Sequence, residues 1–205
     1  MKLWSIQRVA RWERLQRDGK LRAHSVDPDH HYPGAYRFMR NTLVERVGAP
    51  PEESCWPIWA WYHCDGADKP RPDLRCSAHL PPGERGVRIE LEIPNDRVLL
   101  SDFDTWGAVI IGAAVLDGEA EVDRFWKECE QAGLPNGWLM TWEDTDKVLA
   151  HPVFGERLRC SWNRVFDLDW YNDYWNDPPG KKSIQAVFWE IRREDVRKVD
   201  FFTGR

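Results

Sequence analysis

The sequence predicts an α+β protein, one domain over residues 1–205, with a mixed or antiparallel sheet flanked by amphipathic helices. Three observations carry that expectation. Short alternating stretches of strand type occur at both chain ends and in the middle, helical stripes of period 3.6 lie between them, and their order is irregular rather than the regular strand–helix alternation of a doubly wound parallel sheet. A chain of 205 residues can bury a core without disulfide staples.

The first element is KLWSIQ, Lys2 to Gln7, where Leu3, Ser5 and Gln7 alternate against Trp4 and Ile6. A helix follows from about Gln7 to Asp18, with Arg11 and Arg14 opposite Val9, Trp12 and Leu15, and Gly19 placed to end it. Ala23 to Gly34, AHSVDPDHHYPG, reads as an exposed loop. Tyr36, Met39, Leu43, Val44 and Val47 then mark a helix that stops at Gly48 and Pro50-Pro51.

In CWPIWAWYH, Trp59 and Trp61 share one strand face, and Ile58, Ala60 and Tyr62 the other. Val87 to Ile93 alternates cleanly, with Arg88, Glu90 and Glu92 on the outward side. Asp96 to Trp106 passes from strand to helix, with Ser101 as the expected N-cap and the helix running through Ala114. Val122, Phe125, Trp126 and Cys129 form one stripe of a helix ending before Gly133, and Thr141 caps a shorter helix to Ala150. Near the end, SIQAVFWEI reads as one strand, REDV as a helical turn and RKVDFF as a last strand.

Composition narrows the function classes. A net charge of −5 argues against a global pull on nucleic acid, and the arginines of the first helix read as a solvated face. No apolar run is long enough to cross a bilayer, so no membrane partner is expected. The cysteine count is odd at 5 and no apolar leader follows Met1, which predicts reduced thiols in the cytoplasm. Tryptophan is overrepresented, at 13 residues against 5 tyrosines. Most must be core, and a few can line a cleft that stacks on a base or a partner side chain.

Three constellations could carry chemistry. Cys55, Cys64, Cys76 and His79 offer only one tight pair, where a structural zinc uses two, so no metal is expected; the DPDHH run, Asp27 to His31, reads as a solvated loop. Asp102 and Asp104, like Asp167 and Asp169, read first as helix caps and second as a carboxylate pair. Ser5, Gln7, Gln185 and Glu190 are polar residues on strands of buried character. Pairing of the two chain ends would bring them to a cleft floored by Trp4, Trp59 or Trp61, or let them satisfy one another.

The segments MKLWSIQ, AYRFM, PIWAWY, LELEIPNDRVLLSDFDTW, CSWNRVFDLDW and IQAVFWEIRREDVRKVDFF, in that order, resemble a family of uncharacterised bacterial domains of about this length. Trp106, Ser161 and Trp162 join the site candidates from those segments. The opening LWSIQ…WERLQRDGKL also resembles the first motif of compact ADP-ribosyltransferases. That resemblance implies NAD held by Trp4, Gln7, Trp59 and Trp61, with Ser5 fixing the ribose, and Gln185 or Glu190 standing near the catalytic glutamate. The same resemblance implies a toxin or phage-defence effector acting on nucleic acid or protein. Ser5 and Gln185 depart from the histidine or arginine and the glutamate of that family. The alternative is a noncatalytic nucleic-acid or protein binding module that uses tryptophan stacking and the arginine-rich helix.

Overall fold

The computed structural model describes residues 1–24, 33–137 and 141–205, and the DPDHH run lies outside them. The fold is α+β. The elements run β1 (Lys2–Arg8), α1 (Val9–Asp18), β2 (Lys20–Arg22), α2 (Pro33–Arg46), β3 (Ile58–His63), β4 (Arg85–Glu92), β5 (Leu99–Asp102) and α3 (Phe103–Ile110). They continue with α4 (Glu119–Gln131), α5 (Trp142–Ala150), α6 (Phe154–Trp162), β6 (Ile184–Phe188), β7 (Glu190–Arg192) and β8 (Val196–Thr203). By contacts the chain divides into two compact units. The first is Met1–Val26, Arg40–Leu100 and Ser183–Arg205; the second is Asp27–Met39 and Ser101–Lys182.

The first unit is organised by a six-stranded sheet of order β5-β6-β3-β1-β4-β8, with β6–β3, β3–β1, β1–β4 and β4–β8 all antiparallel. Alternation gives β1 two distinct faces. Leu3 joins Ile58, Ala60, Val87, Ile89, Leu91, Ala186 and Phe188 on the aliphatic face, which α1 covers through Leu15. Gly19 ends α1 in the left-handed conformation at φ 72°, its N–H donating to Leu15 O at 2.9 Å, which is why a glycine stands there.

The second unit is helical, with Trp106, Val109, Val122, Phe125, Trp126, Val148, Leu158 and Trp162 buried. Thr141 caps α5 as expected, its Oγ1 accepting from Asp144 N at 3.2 Å.

Four expectations change. The N-cap of α3 is Asp102, not Ser101: its Oδ1 accepts from Asp104 N and Thr105 N, each at 3.1 Å, which a carboxylate does better than a hydroxyl already inside β5. That helix ends at Ile110, where Gly112 turns the chain at φ 74°, rather than running through Ala114. Arg88 is not solvated: it is 7% exposed and donates to Pro72 O at 2.5 Å and Asp200 Oδ2 at 2.6 Å. The stretch SIQAVFWEI is two strands, because the chain leaves the large sheet at Trp189 and β7 pairs with β2 in a separate ribbon. The Trp189 Nε1–H donates to Gly48 O at 2.9 Å and fixes that departure.

Candidate binding face of the sheet

The register of four strand pairs builds one continuous row on the face opposite α1. Lys198 pairs with Glu90, Glu90 with Trp4, Trp4 with Trp61, and Trp61 with Gln185. At the usual strand spacing the row spans about 19 Å. Trp59 lies on the same face two residues before Trp61, beside Val187. Directly opposed residues in an antiparallel pair are neighbours, so Trp4 and Trp61, with Trp59, give this face its indole floor. Trp4 is buried, and Trp59, Trp61 and Gln185 are half-buried.

Polar groups frame that floor. The Trp4 Nε1–H donates to Glu90 Oε2 at 3.4 Å, and Lys2 Nζ lies 2.9 Å from Glu90 Oε1. The Lys2 hydrogen bond, against a smaller opposing effect of burial, holds the Glu90 carboxyl below the usual range, so it is ionised at neutral pH. At the other end, Gln185 Oε1 is buried and has no hydrogen-bond partner among the described residues. Buried acceptors are nearly always paired, so this one marks a place where a donor is wanted. The alternation of VRIELEI put Glu90 on the outward side and gave no reason to single it out. Only the long-range pairing of β1 with β4 places it beside an indole.

A profile described as a domain of unknown function, DUF3841, matches residues 2–197. The chain belongs to the DUF3841 family. No curated protein and no solved structure matches it.

The other sequence candidates of this DUF3841 domain are distributed as follows. Ser5 and Gln7 sit on the aliphatic face, away from the indole row. Ser5 Oγ donates to Trp59 O at 2.9 Å and accepts from Gln7 Nε2 at 2.8 Å, while Gln7 Oε1 accepts from Arg11 at 3.2 Å. These two polar residues satisfy each other and the backbone. Glu190 stands in the β2–β7 ribbon, where Oε2 accepts from Arg22 Nε at 2.9 Å and Oε1 from Arg192 Nε at 2.7 Å. Burial pushes its carboxyl up, but the two guanidiniums outweigh burial and hold it below the usual range. The structure therefore brings Trp4, Trp59, Trp61 and Gln185 to one face, and puts Ser5, Gln7 and Glu190 elsewhere.

In the second unit, Asp102 and Lys182 form an ion pair at 3.0 Å with both side chains at 0% exposure. Asn176 donates to Asp102 Oδ2 at 2.9 Å, and Lys182 donates to Trp170 O at 2.5 Å. A buried pair with its remaining lone pairs answered is a structural anchor for the 163–182 segment. Partial burial of the carboxyl, then the charges of Asp102 and Asp177, push Asp104 up. Trp106 packs edge-on against Tyr36 at 5.9 Å, Trp162 donates to Ala113 O at 2.8 Å, and Ser161 Oγ donates to Leu158 O at 2.8 Å and accepts from Val115 N at 3.1 Å. All three are occupied in holding the helices together. Burial pushes the Cys64 and Cys129 thiols up to about 11, which keeps them protonated and poorly nucleophilic at neutral pH.

Proposed function

We propose that this DUF3841 domain is a binding module whose sheet face stacks a planar ring, with a nucleobase as the ligand class that fits. The observation that carries the reading is the row Trp4–Trp61–Gln185, two opposed tryptophans ending in an amide oxygen with no hydrogen-bond partner among the described residues. Indole faces stack on any base, at about 1–3 kcal/mol per base. A side-chain amide supplies the directional part: its oxygen accepts from an exocyclic amine while its nitrogen donates to a ring nitrogen, the pairing by which glutamine recognises adenine.

The arginine-rich helix α1 does not serve this face. It packs on the aliphatic side, and Arg14 and Arg17 are both within ion-pair distance of Asp18, at 3.5 and 2.9 Å. The proposed ligand is thus recognised by its ring and not by a run of phosphates.

One observation favours a second reading, ADP-ribosyl transfer from NAD. Glu90, ionised, hydrogen-bonded to Trp4 and paired with Lys2, stands in the indole row, whereas Glu190 stands away from it in the β2–β7 ribbon between two arginines. In that chemistry the bond from ribose C1′ to nicotinamide breaks, nicotinamide leaves, and a nucleophile of the target bonds to C1′ and takes the ADP-ribosyl group.

The test is the thermal midpoint with millimolar AMP, CMP and NAD in turn, since a ligand that binds only the folded state raises it. AMP is expected to raise the midpoint more than CMP, with the shift abolished in Trp61→Ala. No shift with any of the three overturns the nucleobase reading. Nicotinamide release from NAD, lost in Glu90→Gln, would establish the transfer reading over simple binding.

A further inference from the structure

We infer that His24, Glu52 and Cys55 form a binding site for a divalent cation of the zinc class, separate from the indole face. One donor atom from each of the three residues lies within 4.8 Å of the other two. Zinc bonds of about 2.0–2.3 Å in tetrahedral array bring ligand atoms to roughly 3.3–3.8 Å of each other, so closure needs a side-chain movement of about 1 Å.

The backbone sets this arrangement. Ala23 and Trp56 form an isolated antiparallel bridge, with Trp56 N–H donating to Ala23 O at 2.7 Å. The residue after Ala23 therefore stands beside the residue before Trp56, which puts His24 against Cys55. A tight turn, Cys55 N–H to Glu52 O at 2.9 Å, returns the Glu52 carboxylate to the same place. Arg40 clamps the turn, donating to Cys55 O at 3.1 Å and Glu53 O at 2.7 Å.

Outer partners orient the ligands as metal sites require. Ser54 Oγ lies 3.1 Å from His24 Nδ1 and holds the ring. Glu52 Oε1 accepts from Arg22, which leaves Oε2 directed to the imidazole, 3.9 Å from Nδ1. Arg22 also pairs with Glu190 at 2.8 Å, so its charge is shared between two carboxylates.

The donor set selects the metal. Nitrogen, sulfur and carboxylate oxygen together suit zinc, whereas calcium and magnesium want oxygen alone. Cys55 is fully buried while His24 and Glu52 are exposed, so the ion would enter from the solvent side and meet the thiol last. Three protein ligands leave a fourth position for water or a small ligand. The sequence spacing had grouped Cys55 with Cys64, Cys76 and His79. His79 is instead engaged through Nε2 with Asp73 O at 2.8 Å, and the true neighbour of Cys55 comes from 31 positions earlier, an interval no motif encodes.

The experiment titrates cobalt(II), then zinc, into the chelator-treated full chain. One equivalent of cobalt is expected to give a thiolate-to-metal charge-transfer absorption that zinc displaces. Cys55→Ser abolishes it, and Cys64→Ser and Cys76→Ser leave it intact. His24→Ala and Glu52→Gln, both at exposed positions, weaken binding by about tenfold or more. Absence of the band, or a band that survives Cys55→Ser, overturns the proposal. If Cys55→Ser does not fold, unchanged cobalt affinity in both His24→Ala and Glu52→Gln overturns it equally.

Discussion

The two faces of the six-stranded sheet are written by the same strands in opposite parity, and they are built differently. Under α1 the side chains of Leu3, Val87, Ile89 and Leu91 are completely buried, and the polar Ser5 and Gln7 have their hydrogen bonds made by each other, by Trp59 O and by Arg11. On the other face the aliphatics give way to Trp4, Trp59 and Trp61, an ionised Glu90, and an amide whose oxygen has no partner among the described residues. A face that only needs to be packed removes or satisfies every buried polar atom, because leaving one unmade costs about 1–3 kcal/mol. The first face follows that rule and the second departs from it. Departures of this kind collect where a protein does something besides fold.

The largest expected contrast comes from truncating one side chain on each face. Ile89→Ala opens a cavity in the aliphatic layer and should lower the unfolding free energy by about 2–5 kcal/mol, while leaving AMP binding to the folded fraction unchanged. Trp61→Ala should weaken AMP binding by about 1–3 kcal/mol. Urea unfolding and ligand titration on both variants measure these. If Trp61→Ala instead destabilises as Ile89→Ala does and binding is untouched, the indole face is ordinary core.

A finer contrast replaces a polar by an apolar residue on each face, and here the signs should differ. Ser5→Ala takes the acceptor from Gln7 Nε2, in a buried hydrogen bond, and the donor from Trp59 O, in a partly buried one, for a loss of about 1–3 kcal/mol. Gln185→Leu removes an acceptor that has no partner among the described residues and should be neutral or stabilising by up to about 1 kcal/mol, at the expense of adenine preference over cytosine. Equal destabilisation by the two substitutions would mean that Gln185 is as well satisfied as Ser5.

Much of this was legible in the residues. The alternation in KLWSIQ and PIWAWY already separates Trp59 and Trp61 from Ile58 and Ala60, and Gly19 and Thr141 end and begin their helices where local chemistry says they should. What could not be read is pairing. Trp4, Trp61 and Gln185 are joined across intervals of 57 and 124 residues by strand register, which has no local signature. The same limit explains Glu190: SIQAVFWEI reads as one unbroken strand, and only the pairing of β7 with β2, beside the Trp189 bond to Gly48, shows that the chain changes sheet there. Arg88 looked outward by alternation and became buried because Pro72, 16 residues away, folds over it.

The smallest expected effect concerns pH and the end of β3. His63 ends β3 with its ring stacked on Tyr62 at 4.1 Å, and burial lowers its pKa. Its folded value lies below its unfolded value, near 6.5, so the unfolded chain binds more protons as the pH drops under about 6.5. The contribution of His63 is therefore fully present above that pH and is lost as the pH falls through the folded pKa. Glu90 and Glu190, both held below the usual carboxylate range, lose theirs only in the acid window beneath it. A modest fall in the thermal midpoint between pH 7 and about 5.5 is thus expected from His63, and His63→Gln should flatten it while leaving the steeper loss at lower pH in place. If the decline above pH 5.5 is the same in His63→Gln, the imidazole is as well solvated folded as unfolded, and the end of β3 lies open rather than covered.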